Sequence, residues 1–162
     1  MKIVSWVDPY TNESLEETDT YLTHNDTKYP IINGVPKFVK ENSDDPQYDI
    51  EKCFSYQWTE SNFGQPDKSS DDDIKKDVIE TMDLTDDDLS LFNDKIVLDV
   101  GVGSGASSRL WAPRAKEFHG VDIGNGVYRA KNTLNNSVEN PILSHSDLHH
   151  LPYPDESFDV IV

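Results

Sequence analysis

K-I-V-L-D-V-G-V-G-S-G, Lys95 to Gly105, is the segment from which the rest of the chain is read. Ile96, Val97, Leu98 and Val100 make a short apolar run closed by glycines, the pattern of a strand buried on both faces of a parallel sheet. Gly101, Gly103 and Gly105 then turn the chain into a helix expected from Ala106 to about Ala112. A turn this sharp, with a ligand close to the backbone, needs residues without a Cβ. The helix that follows presents free N–H groups. The loop meets the loose G-x-G-x-x-G/A pattern with Ala106 last, so it fits a nucleotide-binding strand–loop–helix unit. The plain alternative is a tight turn with no ligand.

Asp99 separates the ligand classes. It stands at the carboxyl end of the strand, two residues before the first glycine. A carboxylate there repels a dinucleotide pyrophosphate held at the helix start and attracts a cationic group such as an ammonium.

Further along, strand and helix alternate. Strands are expected at 117–122, 142–145 and 157–162, with a helix from Gly124 to about Asn135 and Pro113 ending the helix before it. This alternation implies βαβ units: an α/β, Rossmann-like parallel sheet of four strands with flanking helices, preceded by a small β-rich unit. Acids recur at the strand ends. Asp122 closes the second strand, where an acid can accept hydrogen bonds from ribose hydroxyls. Asp147 follows the third. Ligands of open α/β sheets bind beyond the carboxyl ends of the strands, where these residues fall.

D-V-G-V-G-S-G resembles the glycine loop of class I S-adenosylmethionine-dependent methyltransferases. V-D-I-G at 121–124, S-D-L at 146–148 and L-P-Y-P-D-E-S-F-D-V-I-V at 151–162 resemble later motifs of the same family in the same order. The resemblance covers 95–162 well and 29–63 loosely. It implies S-adenosyl-L-methionine as cofactor, Asp99 toward the methionine ammonium, and Gly101, Gly103 and Gly105 beneath the ligand. It implies Asp122, with Ile123, at the ribose, Asp147 near the adenine amine, and Leu148 behind the ring. No catalytic residue and no metal site is identified. The family's sheet has seven strands, so the chain is expected to be a fragment or a truncated protein. The fourth strand would then be covered by a missing C-terminal half or by a partner. The expected activity is methyl transfer to a small-molecule acceptor. The alternative is a non-catalytic module that binds a cofactor or a partner.

Composition narrows the partners. The 162 residues carry 14 Lys and Arg against 31 Asp and Glu, a formal charge of -17. Binding to nucleic acid through counterion release needs clustered cations, so direct nucleic-acid binding is not expected. No apolar run approaches the ~20 residues that span a membrane, and no signal peptide is apparent. The single Cys53 excludes an internal disulfide and a cysteine-built zinc site. The expected compartment is the cytoplasm.

Residues 1–40 form the first unit, 41–70 a connecting segment, and 71–162 the N-terminal portion of the methyltransferase domain. Ile3 to Val7 suggests a strand ended by Asp8-Pro9. Tyr29 to Val39 reads as strand, Asn33-Gly34 turn and strand. Y-P-I-I-N-G-V-P resembles the end of a zinc-ribbon-like domain, but that family's cysteine positions fall at Asp8, Thr11 and near Leu22 and Asn25, so four-thiolate zinc is ruled out. A generic hairpin arm is the other reading. F-S-Y-Q-W at 54–58 resembles a segment upstream of such domains, or else Phe54 and Trp58 form one buried helix face. Cys53 reads as a small buried hydrophobe. Ser70 or Asp71 can cap a helix with Ile74, Val78 and Met82 on one face, and Thr85 with Asp88 makes a capping-box-like start for another. The acidic runs 71–73 and 86–88 read as helix starts. His145, His149 and His150 read as loop histidines without a role, and Ser104, Ser107 and Ser108 as loop and helix-start residues.

Overall fold

The computed structural model describes residues 4–39, 52, 70–84 and 89–162. The expectations for Cys53, for 54–58 and for Thr85 with Asp88 lie outside these residues. The N-terminal unit is an antiparallel meander of β1 (Glu16–Glu17), β2 (Tyr21–His24), β3 (Thr27–Ile32) and β4 (Val35–Pro36). Asn33 and Gly34 join β3 to β4 with φ of 52° and 75°. Two consecutive positive φ angles are what a two-residue hairpin turn of type I′ requires.

The strand expected over Ile3 to Val7 is not found among the described residues of that stretch. Val7 makes a single bridge to Ser14, and its N–H goes instead to the Pro152 carbonyl at 3.1 Å. Val4, Trp6 and Val7 are nevertheless buried. Their apolar character reflects burial: the stretch pairs only briefly with 13–15, through Leu15 N–H to Trp6 O at 3.1 Å and Asp8 N–H to Glu13 O at 2.8 Å, and Val7 adds the bond to the far segment.

Helix α1 (Asp71–Thr81) starts as expected: Ser70 and Asp73 form a capping box, and Ile74 and Val78 are buried. A 3-10 turn at Leu89–Phe92 leads into β5 (Ile96–Val100). After the glycine loop, α2 spans only Ser108–Trp111 and continues as a 3-10 turn at Ala112–Arg114. The helix expected from Ala106 to about Ala112 starts two residues later, because 106–107 still belong to the turn, and it passes at Ala112 into a 3-10 turn that contains Pro113. Then come β6 (Glu117–Asp122), α3 (Gly126–Leu134), β7 (Ile142–His145) and β8 (Val160–Ile161). These four strands are parallel, in the order β7-β6-β5-β8. β8 is shorter than the expected 157–162, although its flanks still track β5 through Asp159 N–H to Ile96 O and Val100 N–H to Val162 O, both 2.9 Å.

The sheet separates two cores. Val97, Phe118 and Leu143 pack with Ile74, Val78, Trp111, Val127 and Leu134 from the helices. Leu98 and Val121 face the other way and pack with Trp6, Leu22, Tyr29, Phe38 and Tyr153. The N-terminal meander therefore covers one face of the parallel sheet. It is fastened by Phe38 N–H to His145 O at 2.8 Å and by Val4 N–H to Glu117 Oε1 at 2.9 Å. Trp6 stacks on Tyr153 with centroids 5.1 Å apart. A fully buried side chain such as Leu22 contributes about 1.5–3 kcal/mol relative to exposure, so the seam is a substantial part of the core. Among the described residues no helix is long and apolar enough to cross a membrane.

Candidate functional site

The strand order reverses at β5: β6 and β7 lie to one side and β8 to the other. A crevice forms at such a switch point, at the carboxyl ends of the strands. The loop 101–105 sits there. Gly101, Gly103 and Gly105 have φ of 84°, 53° and 75°, the left-handed region that favours glycine. A Cβ on Gly101 would meet nothing within 4 Å, so the space beside it is open. A Cβ on Gly105 would come 3.0 Å from Leu134 Cγ and 3.3 Å from Ala130 Cβ. Gly105 thus lets α3 pack against the loop, while Gly101 leaves room for a ligand.

The loop is tied to β6. The N–H groups of Gly101 and Val102 both go to Val121 O, at 2.8 and 3.0 Å. Asp122 holds the next residue: its Oδ2 accepts from Gly103 N–H at 2.8 Å and its Oδ1 from Gly124 N–H at 2.7 Å. Burial pushes the Asp122 carboxyl above the usual carboxylate range, and these two bonds oppose the shift. Each carboxylate oxygen keeps a further lone-pair site.

Asp99 faces inward, 8% exposed, and accepts the Ser108 hydroxyl hydrogen. Burial raises its pKa to about 6; the Ser108 bond opposes the rise and the Asp122 charge adds to it. The sequence reading of Ser108 as a plain helix-start residue missed this bond. Its signal was a hydroxyl in the first turn after the loop, where a helix residue can reach back over the strand end. Ser104 Oγ is buried with no hydrogen-bond partner among the described residues.

Beyond β6, Ile123 offers its carbonyl to His145 Nε2 at 2.7 Å, and Tyr128 Oη lies 3.0 Å from His145 Nδ1. A carbonyl can only accept, so Nε2 carries the hydrogen and Nδ1 accepts from the tyrosine. This corrects the reading of His145 as a loop histidine without a role. It is fully buried in β7 and joins the turn after β6 to α3. Asp147 is half-buried, and its Oδ1 lies 2.9 Å from His149 Nδ1 and accepts His149 N–H at 3.0 Å. Leu148 is 56% exposed.

Asp99, the three glycines, Asp122 and Ile123 thus form one connected cluster, and Asp147 with Leu148 follow the neighbouring strand. Arg109, next to Ser108, reaches Asp71 Oδ1 at 2.5 Å and ties the start of α1 to the same region. The ribbon resemblance finds no support. Asp8 Oδ1 accepts from the N–H groups of Tyr10 and Thr11 at 2.9 and 3.0 Å, and Tyr29 Oη donates to Asp8 Oδ2 at 2.9 Å. Leu22 is core, and Asn25 sits in a turn with φ of 50°. The unit is held by a carboxylate-centred hydrogen-bond cluster and an apolar core.

Residues 98–162 match the family model described as "Methyltransferase domain". Two curated relatives overlap this part. The malonyl-[acyl-carrier protein] O-methyltransferase of Halorhodospira halophila is 36% identical over 67 residues, 40% of this chain and 23% of the relative. An uncharacterized methyltransferase, YcgJ, of Bacillus subtilis is 33% identical over 67 residues, 40% of this chain and 26% of the relative. The chain thus spans about a quarter of the length of the curated relatives it matches. The crystal structure of magnesium protoporphyrin IX methyltransferase from Synechocystis PCC 6803 with bound SAH aligns at a TM-score of 0.44 and 18% identity, over 66% of this chain and 54% of that one.

Proposed function

We propose that this chain, whose residues 98–162 match a methyltransferase-domain model, is a class I methyltransferase that binds S-adenosyl-L-methionine over its glycine loop and serves methyl transfer to a small-molecule acceptor. The observation that carries the reading is the pair of buried carboxylates, Asp99 and Asp122, placed on either side of a three-glycine loop at the switch point. The open space beside Gly101 and the unpartnered hydroxyl of Ser104 fit a polar ligand lying on the loop.

Each residue then has a task. Asp122 fixes the loop with its two backbone bonds and accepts ribose hydroxyls with its remaining lone pairs. Asp99, ionised above about pH 6, places negative charge beneath the loop and favours a ligand carrying an ammonium. By the resemblance, Asp147 meets the adenine amine and Leu148 backs the ring. Bound there, S-adenosyl-L-methionine would supply an electrophilic methyl group on a sulfur that leaves neutral, with Asp99, Asp122 and the glycine loop holding it in place for the acceptor. The protein's share is alignment and exclusion of water, which explains why no catalytic triad is needed.

Calorimetry with S-adenosylhomocysteine tests the reading. Saturable binding by the parent that weakens in Asp122→Ala supports it; equal binding by both, or none, defeats it. A second reading, a non-catalytic module completed by a partner, is favoured by Ile161, which is 64% exposed on β8. Size-exclusion chromatography separates the two, because a monomer that binds the ligand has no need of a covering partner.

A further inference from the structure

A cleft of about 470 Å³ opens between the turn at Asp8–Asn12 and the segment that follows β7. Its lining includes Leu98 and Ile161, register partners in the two strands that flank the switch point. Leu148, next in the chain to Asp147, also lines it, so the cleft borders the candidate cofactor site. Tyr153 and Phe158 give it an aromatic wall, with centroids 4.9 Å apart and ring planes at 90°. At the rim, Tyr10 of the N-terminal unit lies against His150 with centroids 4.8 Å apart. The volume falls within the range of about 300–1,000 Å³ typical of small-molecule sites. A larger cleft, about 640 Å³, is lined by Asn140 and Pro141, before β7 begins, and so lies toward the opposite end of the strands.

The charge around the smaller cleft selects its occupant. Asp8, Asp155 and Glu156 line it with His149 and His150, and among the described residues no lysine or arginine does. Asp8 is already bonded by two backbone N–H groups and by Tyr29, so among the described residues the site offers rings and aliphatic surface, with no lysine or arginine to pair an acid. An anionic acceptor would meet like charge in a chain of net charge -17.

We infer that this cleft is the acceptor site, and that it takes an uncharged, ring-bearing small molecule with a hydroxyl or amine nucleophile. The inference rests on the methyl-transfer reading above and adds to it the acceptor's chemical class and a role for the N-terminal unit. The Asp8–Asn12 turn supplies one wall, so the unit that covers the sheet also shapes the pocket.

The test uses the 162-residue chain, with 2-naphthol as an uncharged ring alcohol and 2-naphthoate as its anionic counterpart. Binding is followed by fluorescence, and S-adenosylhomocysteine binding is measured separately by calorimetry. The expected result is saturable 2-naphthol binding that S-adenosylhomocysteine does not displace, with 2-naphthoate at least about tenfold weaker. Tyr10→Ala and His150→Ala should each weaken 2-naphthol by about fivefold, the scale of a lost aromatic contact, and leave S-adenosylhomocysteine affinity unchanged. Both residues are exposed, so these variants keep the fold. Absent 2-naphthol binding, unchanged affinity in both variants, or preference for 2-naphthoate overturns the inference. If S-adenosylhomocysteine binds and 2-naphthol does not, the acceptor site falls alone. If 2-naphthol binds and S-adenosylhomocysteine does not, the methyl-transfer reading falls and takes the acceptor assignment with it.

Discussion

Ser108, in the first turn of α2, donates its hydroxyl hydrogen to the carboxylate of Asp99, at the end of β5. The bond spans the glycine loop and joins the strand before it to the helix after it. Both residues are buried, so neither partner has water as a substitute.

Removing that hydroxyl should cost stability. A hydrogen bond to a charged group contributes about 1.5–3 kcal/mol. Ser108→Ala should lose that much at pH 8, where Asp99 is ionised, in urea unfolding. Ser108→Thr, which keeps the hydroxyl, should recover most of it. A loss equal in both variants would assign the effect to packing.

The pH dependence has a defined sign. The pKa of Asp99 is raised from 3.8 to about 6 in the folded chain. Between those values the folded state holds a proton that the unfolded state has released. Its contribution to stability is therefore fully present below about pH 4 and is lost as pH rises through 6. A shift of about two units corresponds to about 3 kcal/mol. Asp99→Asn should lack this fall, so the parent-minus-variant difference in unfolding free energy should change between pH 4 and 6 and level off above. A flat difference across that window would contradict the buried carboxylate.

Ligand affinity should move the opposite way with pH. The ammonium-bearing ligand is favoured by the ionised form of Asp99, so S-adenosylhomocysteine should bind more weakly as pH falls through 6. At pH 8, Asp99→Asn should weaken it by about one to two decades, the value of a charge-assisted interaction. Titration calorimetry at pH 5 and pH 8 on parent and variant checks both statements.

Gly101 and Gly105 should fail differently. Each has a positive φ, so alanine at either adds about 1–2 kcal/mol of backbone strain. At Gly105 the new methyl also meets Leu134 and Ala130, so Gly105→Ala should show the larger fall in melting temperature. At Gly101 the methyl enters open space. Gly101→Ala should therefore keep the fold and lose S-adenosylhomocysteine affinity. Thermal melts paired with calorimetry separate the two outcomes.

The sequence made β5, β6 and β7 legible because each is a short apolar run closed by a turn or by an acid at the carboxyl end. Asp99, Asp122 and the glycines stand out for the same reason: their place in the chain is local to those ends. What stayed hidden depends on distant partners. The apolar pattern of Val4, Trp6 and Val7 was visible, but nothing local shows that Val7 bonds to Pro152 or that Trp6 stacks on Tyr153. Ser108 and His145 read as ordinary polar residues until the fold sets them against Asp99, Ile123 and Tyr128. The helix after the loop starts at Ser108 and not at Ala106, because nothing local shows how many residues the turn out of the strand takes up.

The seam between the meander and the sheet joins residues far apart in sequence. Val4 bonds Glu117, Val7 bonds Pro152 and Phe38 bonds His145, so each of these contacts closes a long loop. Non-local pairing is slow because loop-closure entropy must be met before the contact forms. On a ribosome the meander emerges before the sheet, and its apolar side, with Trp6, Leu22 and Phe38, waits for strands that have not been made. During that interval it is the surface that a chaperone would recognise, and docking onto the finished strands is the step that withdraws it from solvent.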